Sequence, residues 1–554
     1  MQIKLKYDAM NQVPWQQVCP LYNDFADLLD NASSFAPMGA IELQPRLKAA
    51  LSFFVSDACP SKVLIIKDGD NLFHRRLVSE YIETLGHKAV VSTDVNPSLL
   101  FDRYQVADNE THTAQGLASE ANGGVLVSST QTALASLGVW TNLKALLQGA
   151  KLDSVALDSK SSSLAPPTYS SDFKLVVLGD REQLSDLDFI DGDFRSGFMQ
   201  YTEIESDLKV TPATAQQYLS FVNLMVLEHI SGKQLDRSGY LKLLQAGARE
   251  TEDKQYWPLS VDWHKALLCE ASSYSNNEVI SSEHIDAAIE AKRNRESYLP
   301  ERAIDDILEG QVVIETQGKQ VGQVNGLTVI DIPGHPISYG EPARISCVVH
   351  FGDGDVSDVE RKVDLGGNIH AKGMMIMQAF VSSELDLDAP LPYSASIVFE
   401  QSYCEVDGDS ASLAELCSLV SALSGYPIDQ QIAVTGAVDQ FGRVQAVGGL
   451  NEKVEGFYNV CKHQGLTGKQ GVILPKTNVQ HLALNKELVE SIKNEEFHIW
   501  SVTHVDEVIP LLLGQPFKSD TEDSVIGKIA ERIENFEKHE MPESFVTRIK
   551  NWFV

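Results

Sequence analysis

The sequence predicts a multidomain chain in which an α/β domain is followed by an α+β domain. Three observations carry this. Short, continuously apolar strands alternate with helical patterns through the first 210 residues. Residues 211–310 then read as helix alone, and from 311 onward strands separated by Gly/Pro turns return in a mixed order. The chain has 554 residues, 43% of them hydrophobic and 22% charged. That is material for roughly three or four domains, and it excludes a disordered or collagen-like chain.

In order, residues 1–60 form an irregular lead-in ending in a helix over Leu47–Val55. Strands are expected at Val63-Leu-Ile-Ile66, Gly124-Val-Leu-Val127 and Lys174-Leu-Val-Val-Leu178, with a helix over His74–Thr84 between the first two. Unbroken apolar strands alternating with helices imply a parallel sheet covered on both faces, over residues 61–210. Leu152–Ser171, rich in Ser and holding Pro166-Pro167, reads as a loop. In 211–310, helices start at Thr211-Pro212, Ser238, Ser260 and Ser282, each with a capping residue and apolar spacing of three to four.

From Gln311 the strand-like stretches are Val312-Val-Ile-Glu315, Gln323–Ile330, Arg344–Val349, Ala395–Phe399, Gln431–Val438, Gly471–Leu474 and His498–Val502. Helices are expected over Gly373–Leu385, Ala411–Leu423 and Asn451–Gln464. Together these make an α+β domain over 311–515. The charged tail, 516–554, carries one amphipathic stretch (Ile526–Phe536) and a terminal Trp552-Phe553.

With 45 Lys and Arg against 77 Asp and Glu, the net charge is −32. Such acidity disfavours a nucleic-acid binder or a protein of anionic membrane surfaces. The seven cysteines are never spaced as C-x-x-C, so neither a zinc ribbon nor a disulfide framework is indicated. The N-terminus shows no apolar signal core and no run of 18 apolar residues occurs, which reads as a cytoplasmic protein.

A phosphate-cradling loop needs G-x-x-x-x-G-K-[ST]. Four Gly-Lys pairs occur, at Gly232, Gly318, Gly468 and Gly527, and none is followed by Ser or Thr. After the first strand stands Lys67-Asp-Gly-Asp-Asn71, which sets Asp68 and Asp70 where phosphates would lie. The strand ending at Val127 runs into Ser128-Ser129 instead of the acidic pair that would hold magnesium.

Chemistry concentrates in Glu405-Val-Asp-Gly-Asp-Ser-Ala-Ser-Leu-Ala-Glu415 and Gly448-Gly-Leu-Asn-Glu-Lys-Val454. Locally the first piece is a turn at Asp407-Gly408, an N-cap at Asp409 or Ser410, and a Ser412-x-x-Glu415 capping box. A serine at a helix start also sits among unpaired N–H groups at the positive end of the macrodipole, where attack would create an oxyanion. No histidine stands nearby in sequence to serve as base, but a lysine kept neutral by burial can do so. Lys453, after two glycines and on an apolar-faced helix, is the candidate.

These pieces resemble the proteolytic domain of Lon proteases, especially the B-type branch, whose active site is a Ser-Lys dyad. The nucleophile motif of that family reads like Asp407-Gly-Asp-Ser-Ala-Ser412 and its lysine motif like Val447-Gly-Gly-Leu-Asn-Glu-Lys453. The 43-residue separation matches the family's spacing and, on the resemblance, picks Ser410 over Ser412. The similarity extends through Gly366-Gly-Asn-Ile-His-Ala-Lys-Gly373 and Gly468–Pro475, over roughly 310–515. It implies Ser410 as nucleophile and Lys453 as base, with Asp407 and Thr435 supporting the lysine. The backbone N–H groups of Ser410 and Ala411 are the expected oxyanion donors.

More faintly, the first half resembles the family's AAA+ module. Ala121–Val127 is similar to its magnesium strand, Leu175–Arg181 to its sensor strand, and Arg195 lies near its trans-acting arginine. The resemblance implies a degenerate AAA+-like α/β domain (61–210), a helical lid (211–310) and a Lon-type α+β proteolytic domain (311–515). The expected activity is that of a serine endopeptidase of the endopeptidase La type, acting as a homo-hexamer on unfolded proteins or peptides, with no membrane partner. No cofactor is required for the chemistry. ATP and magnesium are expected from the family, but their motifs are absent. The alternatives are a catalytically silent ring scaffold and a true ATP-dependent protease with a non-standard nucleotide site.

Overall fold

Strands that are apolar at every position must be covered on both faces, and the computed structural model places five of them in one sheet. The described residues are 8–69, 71–93, 96–107, 110–352, 356–363, 365–385, 393–402, 406–519 and 523–540. They fall into two units: Ser34–Ser231 with Leu259–Lys265, and the described parts of Met1–Ser33, Gly232–Pro258 and Ala266–Val554. Helix Pro212–His229 lies in the first unit, and helices Arg237–Glu250 and Ser282–Glu296 lie in the second.

In the first unit, strands β1 (Val63–Lys67), β2 (Ala89–Val91), β3 (Val125–Ser129), β4 (Lys174–Gly179) and β5 (Met199–Glu203) form a wholly parallel sheet, order β5-β1-β4-β3-β2. Alternation sorts β1 between two cores. Val63 and Ile65 pack with Leu143, Leu146 and Leu184 on one face. Leu64 and Ile66 pack with Leu47, Leu51, Phe54 and Val78 on the other. Each such fully buried side chain contributes about 1.5–3 kcal/mol of transfer free energy. Helix α1 (Leu72–Thr84) follows β1 and is capped by Asn71, whose side chain accepts the His74 N–H. The expected loop 152–171 holds two short strand pairings, one of them Leu152–Asp153 against Thr168–Tyr169.

The second unit is built on a mixed seven-stranded sheet. Its strands are β6 (Gln323–Ile330), β7 (Tyr339–Phe351), β8 (Val356–Asp358), β9 (Tyr393–Glu400), β10 (Ile432–Val434), β11 (Gln470–Pro475) and β12 (Phe497–Val502). They lie in the order β8-β9-β7-β6-β10-β11-β12. The stretch Val312–Glu315, expected as a strand, is irregular, because its Val312 and Val313 N–H groups are taken by the Asp306 carbonyl and the Gln401 side chain. The strand expected over 431–438 stops at Val434, and Ala437–Val438 pairs separately with Val444–Gln445.

Helix α2 (Arg237–Glu250), helix α3 (Asn368–Leu385), helix α4 (Ser412–Ser424) and helix α5 (Leu450–Gln464) matter for the site. Every residue of α4 is buried. It shares one core with Ile432, Val434 and Ile473, while α5 shares another with Ala433, Val472 and Leu474. Alternate residues of β10 and β11 therefore face the two helices, which lie on opposite sides of the sheet. Helix Val525–Glu540 extends the expected stretch at both ends, and Trp552-Phe553 lies outside the described residues. Among the described residues, no helix is long and apolar enough to cross a membrane.

Candidate active site

The end of β10 is where the two faces meet. Beyond Val434 the chain leaves the sheet, and Gly436 exchanges backbone bonds with the turn before α4. Its N–H donates to the Ser410 carbonyl at 3.0 Å and its carbonyl accepts the Leu413 N–H at 3.1 Å. These bonds pin the start of α4 against the sheet edge and fix where Ser410 stands. From the other face Lys453, in the first turn of α5, reaches the same point. Its Nζ donates to Ser410 Oγ at 3.0 Å.

Two close approaches aim α5. Its N-cap is Gly449, at φ 62°, a left-handed conformation that costs a side-chain-bearing residue strain. A Cβ there would also lie 2.5 Å from Val329 Cγ2. Further along, Gly340 of β7 and Gly456 of α5 touch through their backbones, since a Cβ on Gly340 would overlap the Glu452 carbonyl and one on Gly456 the Gly340 carbonyl. Glycine at both positions lets the helix lie directly on the strand.

Lys453 is 3% exposed. Burial pulls its ammonium down to about 8, only partly opposed by the negative charge of Asp409. A group with that value is appreciably neutral near pH 8, as a general base must be. Ser410 itself is only partly buried and can be reached from outside.

At the helix start the backbone donors divide into two sets. Ser412 N–H bonds to the Asp409 carbonyl and Leu413 N–H to that of Gly436. Among the described residues, the N–H groups of Ser410 and Ala411 have no hydrogen-bond acceptor. Two adjacent free donors beside a serine hydroxyl are the arrangement that an oxyanion needs.

The local capping expectation does not hold here. The N-cap is Ala411, without a side-chain bond. Ser412 is buried, and its Oγ accepts the Val438 N–H at 3.1 Å, so it closes no capping box. Glu415 is buried as well and lies 3.7 Å from His370. Tertiary contacts have claimed both side chains that a local cap would use.

Asp407 is exposed, and its Oδ1 accepts the neighbouring Gly408 N–H at 2.8 Å. Asp409 is the carboxylate whose charge acts on Lys453. Thr435 is buried, and its hydroxyl reaches the Ser410 carbonyl at 3.5 Å, so it bears on the backbone of Ser410. Glu405 and Asp70 lie outside the described residues.

Sequence reasoning missed a buried group behind α4. His370, in the Gly366–Gly373 segment, stands 3.2 Å from Asp358 of β8 and faces Glu415 of α4. Burial pushes the Glu415 carboxyl up to about 8. The motif spelling shows the histidine, but nothing local shows its two carboxylate partners.

In the first unit, the place after β1 where phosphates would sit is taken by Asp68, whose carboxylate lies against the His74 ring. After β3, Ser129 caps a short helix by accepting the Thr132 N–H at 2.9 Å. Arg195 is exposed and pairs through two bonds with Asp188, at 3.1 and 2.6 Å.

Comparison with known proteins agrees with this anatomy. Residues 394–515 match the Lon protease (S16) C-terminal proteolytic domain, residues 102–205 a LonB-like AAA domain, and residues 234–295 the archaeal LonB AAA+ ATPase lid domain. The Escherichia coli K12 protein named "Putative Lon protease homolog" is 38% identical over 551 residues, covering 93% of this chain and 94% of its own. A Haemophilus influenzae protein of the same name is 40% identical over 469 residues, 83% of this chain and 78% of its own. The archaeal Lon protease of Archaeoglobus fulgidus is 24% identical over 349 residues, 62% of this chain and 52% of its own. Matched at such identity over nearly its whole length, the chain belongs to the Lon protease family.

Proposed function

We propose that the chain is a serine endopeptidase in which Ser410 and Lys453 form the catalytic dyad. The observation that carries the reading is the 3.0 Å contact between Ser410 Oγ and a buried Lys453 Nζ whose charge is destabilised. Neutral Lys453 takes the Ser410 proton as Oγ attacks the peptide carbonyl carbon. The oxyanion is held by the Ser410 and Ala411 N–H groups. As the C–N bond breaks, Lys453 returns that proton to the leaving amine. Water then attacks the acyl ester, giving its proton to Lys453, and the proton passes back to Ser410 as the acid is released. Asp409 tunes the lysine, and Thr435 steadies the nucleophile's carbonyl.

The substrates we infer are unfolded chains or peptides, cut within a homo-hexameric ring like those the family resemblance implies. The AAA-like unit acts in this reading without nucleotide turnover. An Asp68–His74 pair and the Ser128-Ser129 strand end supply neither a phosphate-binding lysine nor magnesium-binding carboxylates. The domain division that goes with this function runs 61–210, 211–310 and 311–515, with 1–60 leading in and 516–554 as a tail. The test is cleavage of casein by wild type and Ser410→Ala, each with and without ATP and magnesium. Serine-dependent, nucleotide-independent cleavage supports the proposal, and cleavage by Ser410→Ala contradicts it.

A further inference from the structure

Lys453 sits in the first turn of a helix that has no side-chain cap of its own. Unsupported first turns fray, because their N–H groups have no partners within the helix. A frayed turn would bring water to Lys453 Nζ, and with it the full charge of the lysine. Something outside α5 must hold this turn.

The residues on either side of the lysine show what does. Arg249, near the end of α2, sends Nη2 to Glu452 Oε1 at 2.7 Å and Nη1 to Glu455 Oε1 at 2.7 Å. Nη2 also reaches Glu455 Oε2 at 3.2 Å, and Nη1 reaches the Ala483 carbonyl at 3.2 Å. Glu455 Oε1 accepts the Asn485 N–H at 2.9 Å as well, while Asn451 is tied to the His481 carbonyl and the Ala483 N–H. Glu452 and Glu455, three apart, share one face of α5, and the helical period turns Lys453 away from them. One planar guanidinium thus grips two carboxylates that would otherwise repel each other, on the side of the turn away from the nucleophile.

We propose that Arg249 is a positioning residue for the dyad: by clamping Glu452 and Glu455 it holds the first turn of α5, and so holds Lys453 Nζ against Ser410. Through it the helical segment 237–250 sets the geometry of the base directly. This inference rests on the dyad reading above.

The test compares wild type with Arg249→Met and Arg249→Lys as full chains, in two measurements. The first is acetylation of Lys453 by acetic anhydride across pH, followed by mass spectrometry, which requires no peptidase activity. The second is steady-state hydrolysis of a fluorogenic unfolded peptide. In Arg249→Met the Lys453 titration midpoint should move up by at least one pH unit. Its kcat should fall tenfold or more with KM within twofold. Arg249→Lys, which keeps the charge but cannot grip both carboxylates, should fall between. If Arg249→Met fails to fold, the triple variant Arg249→Met with Glu452→Gln and Glu455→Gln, which leaves no carboxylate unpaired, is read in its place, with the same expectation. An unchanged Lys453 titration and unchanged kcat overturn the proposal. Should wild type cut no peptide while the titration still shifts in Arg249→Met, the positioning stands and the protease reading fails.

Discussion

Lys453 Nζ lies 3.0 Å from Ser410 Oγ although Ser410 stands in the turn before α4 and Lys453 in α5, helices on opposite faces of one sheet. The meeting is possible because β10 ends at Val434, and Gly436 then bonds back to Ser410 and Leu413. The geometry depends on a strand end as much as on the two side chains.

The serines at 410 and 412 should separate cleanly. Ser410→Ala should abolish cleavage while the chain still folds, although it removes the oxygen to which Lys453 Nζ donates. Ser412→Ala should keep activity but lose about 1–3 kcal/mol, because it leaves the buried Val438 N–H without its acceptor. Urea unfolding beside a cleavage assay checks both halves.

Burying an ionisable lysine should also show in stability. Its value falls from 10.5 to about 8 on folding, so between those limits the unfolded state binds more protons. Stability from this group therefore rises with pH from about 8 to about 10.5, and below 8 the buried charge costs on the order of 3 kcal/mol. Lys453→Met should accordingly be inactive yet more stable than wild type at pH 7, by on the order of 1–3 kcal/mol. That advantage should vanish above about pH 10. Chemical denaturation at pH 7 and pH 10 measures it.

Gly449→Ala tests how α5 is aimed. The substitution meets both a positive φ and Val329 Cγ2 at 2.5 Å. It should lower stability by about 1–3 kcal/mol and reduce kcat tenfold or more. Adding Val329→Ala should restore part of the activity by removing the overlap, while the backbone strain remains. Full activity in Gly449→Ala alone would mean that the helix start tolerates a shift.

ATP with magnesium should bind weakly or not at all, because the pocket expected for phosphate holds an Asp68–His74 pair and no P-loop lysine. Isothermal calorimetry decides this, and micromolar affinity would contradict it.

The central strands β1, β3 and β4 were legible because unbroken Val/Leu/Ile runs admit few alternatives to a covered parallel strand. β5, reading Met-Gln-Tyr-Thr-Glu, was not expected, since as an edge strand it mixes buried and exposed positions. Helices Lys486–Lys493 and Val505–Leu513 also went unread, the second because Pro510 interrupts its pattern. In the candidate site, Ser410 and Lys453 were singled out by the resemblance of their motifs, and of the spacing between them, to the Lon family. What surrounds them was not. Whether Ser412 caps a helix or receives Val438 is decided by a strand 26 residues away, and Arg249 meets Glu452 across 203 residues. Local rules describe what a side chain does when nothing distant claims it, and here the distant partners did.

The most direct test of the dyad asks whether Lys453 acts as a base or only as a positive charge. Arginine stays protonated in proteins and cannot accept the Ser410 proton. Initial rates on an unfolded substrate should be measured across pH for wild type and Lys453→Arg. Wild-type cleavage should rise through a single ionisation near 8, the value burial gives Lys453. Lys453→Arg should show no cleavage at any pH. Near-normal turnover by the arginine variant, or a wild-type profile that is flat through pH 8, would contradict the account.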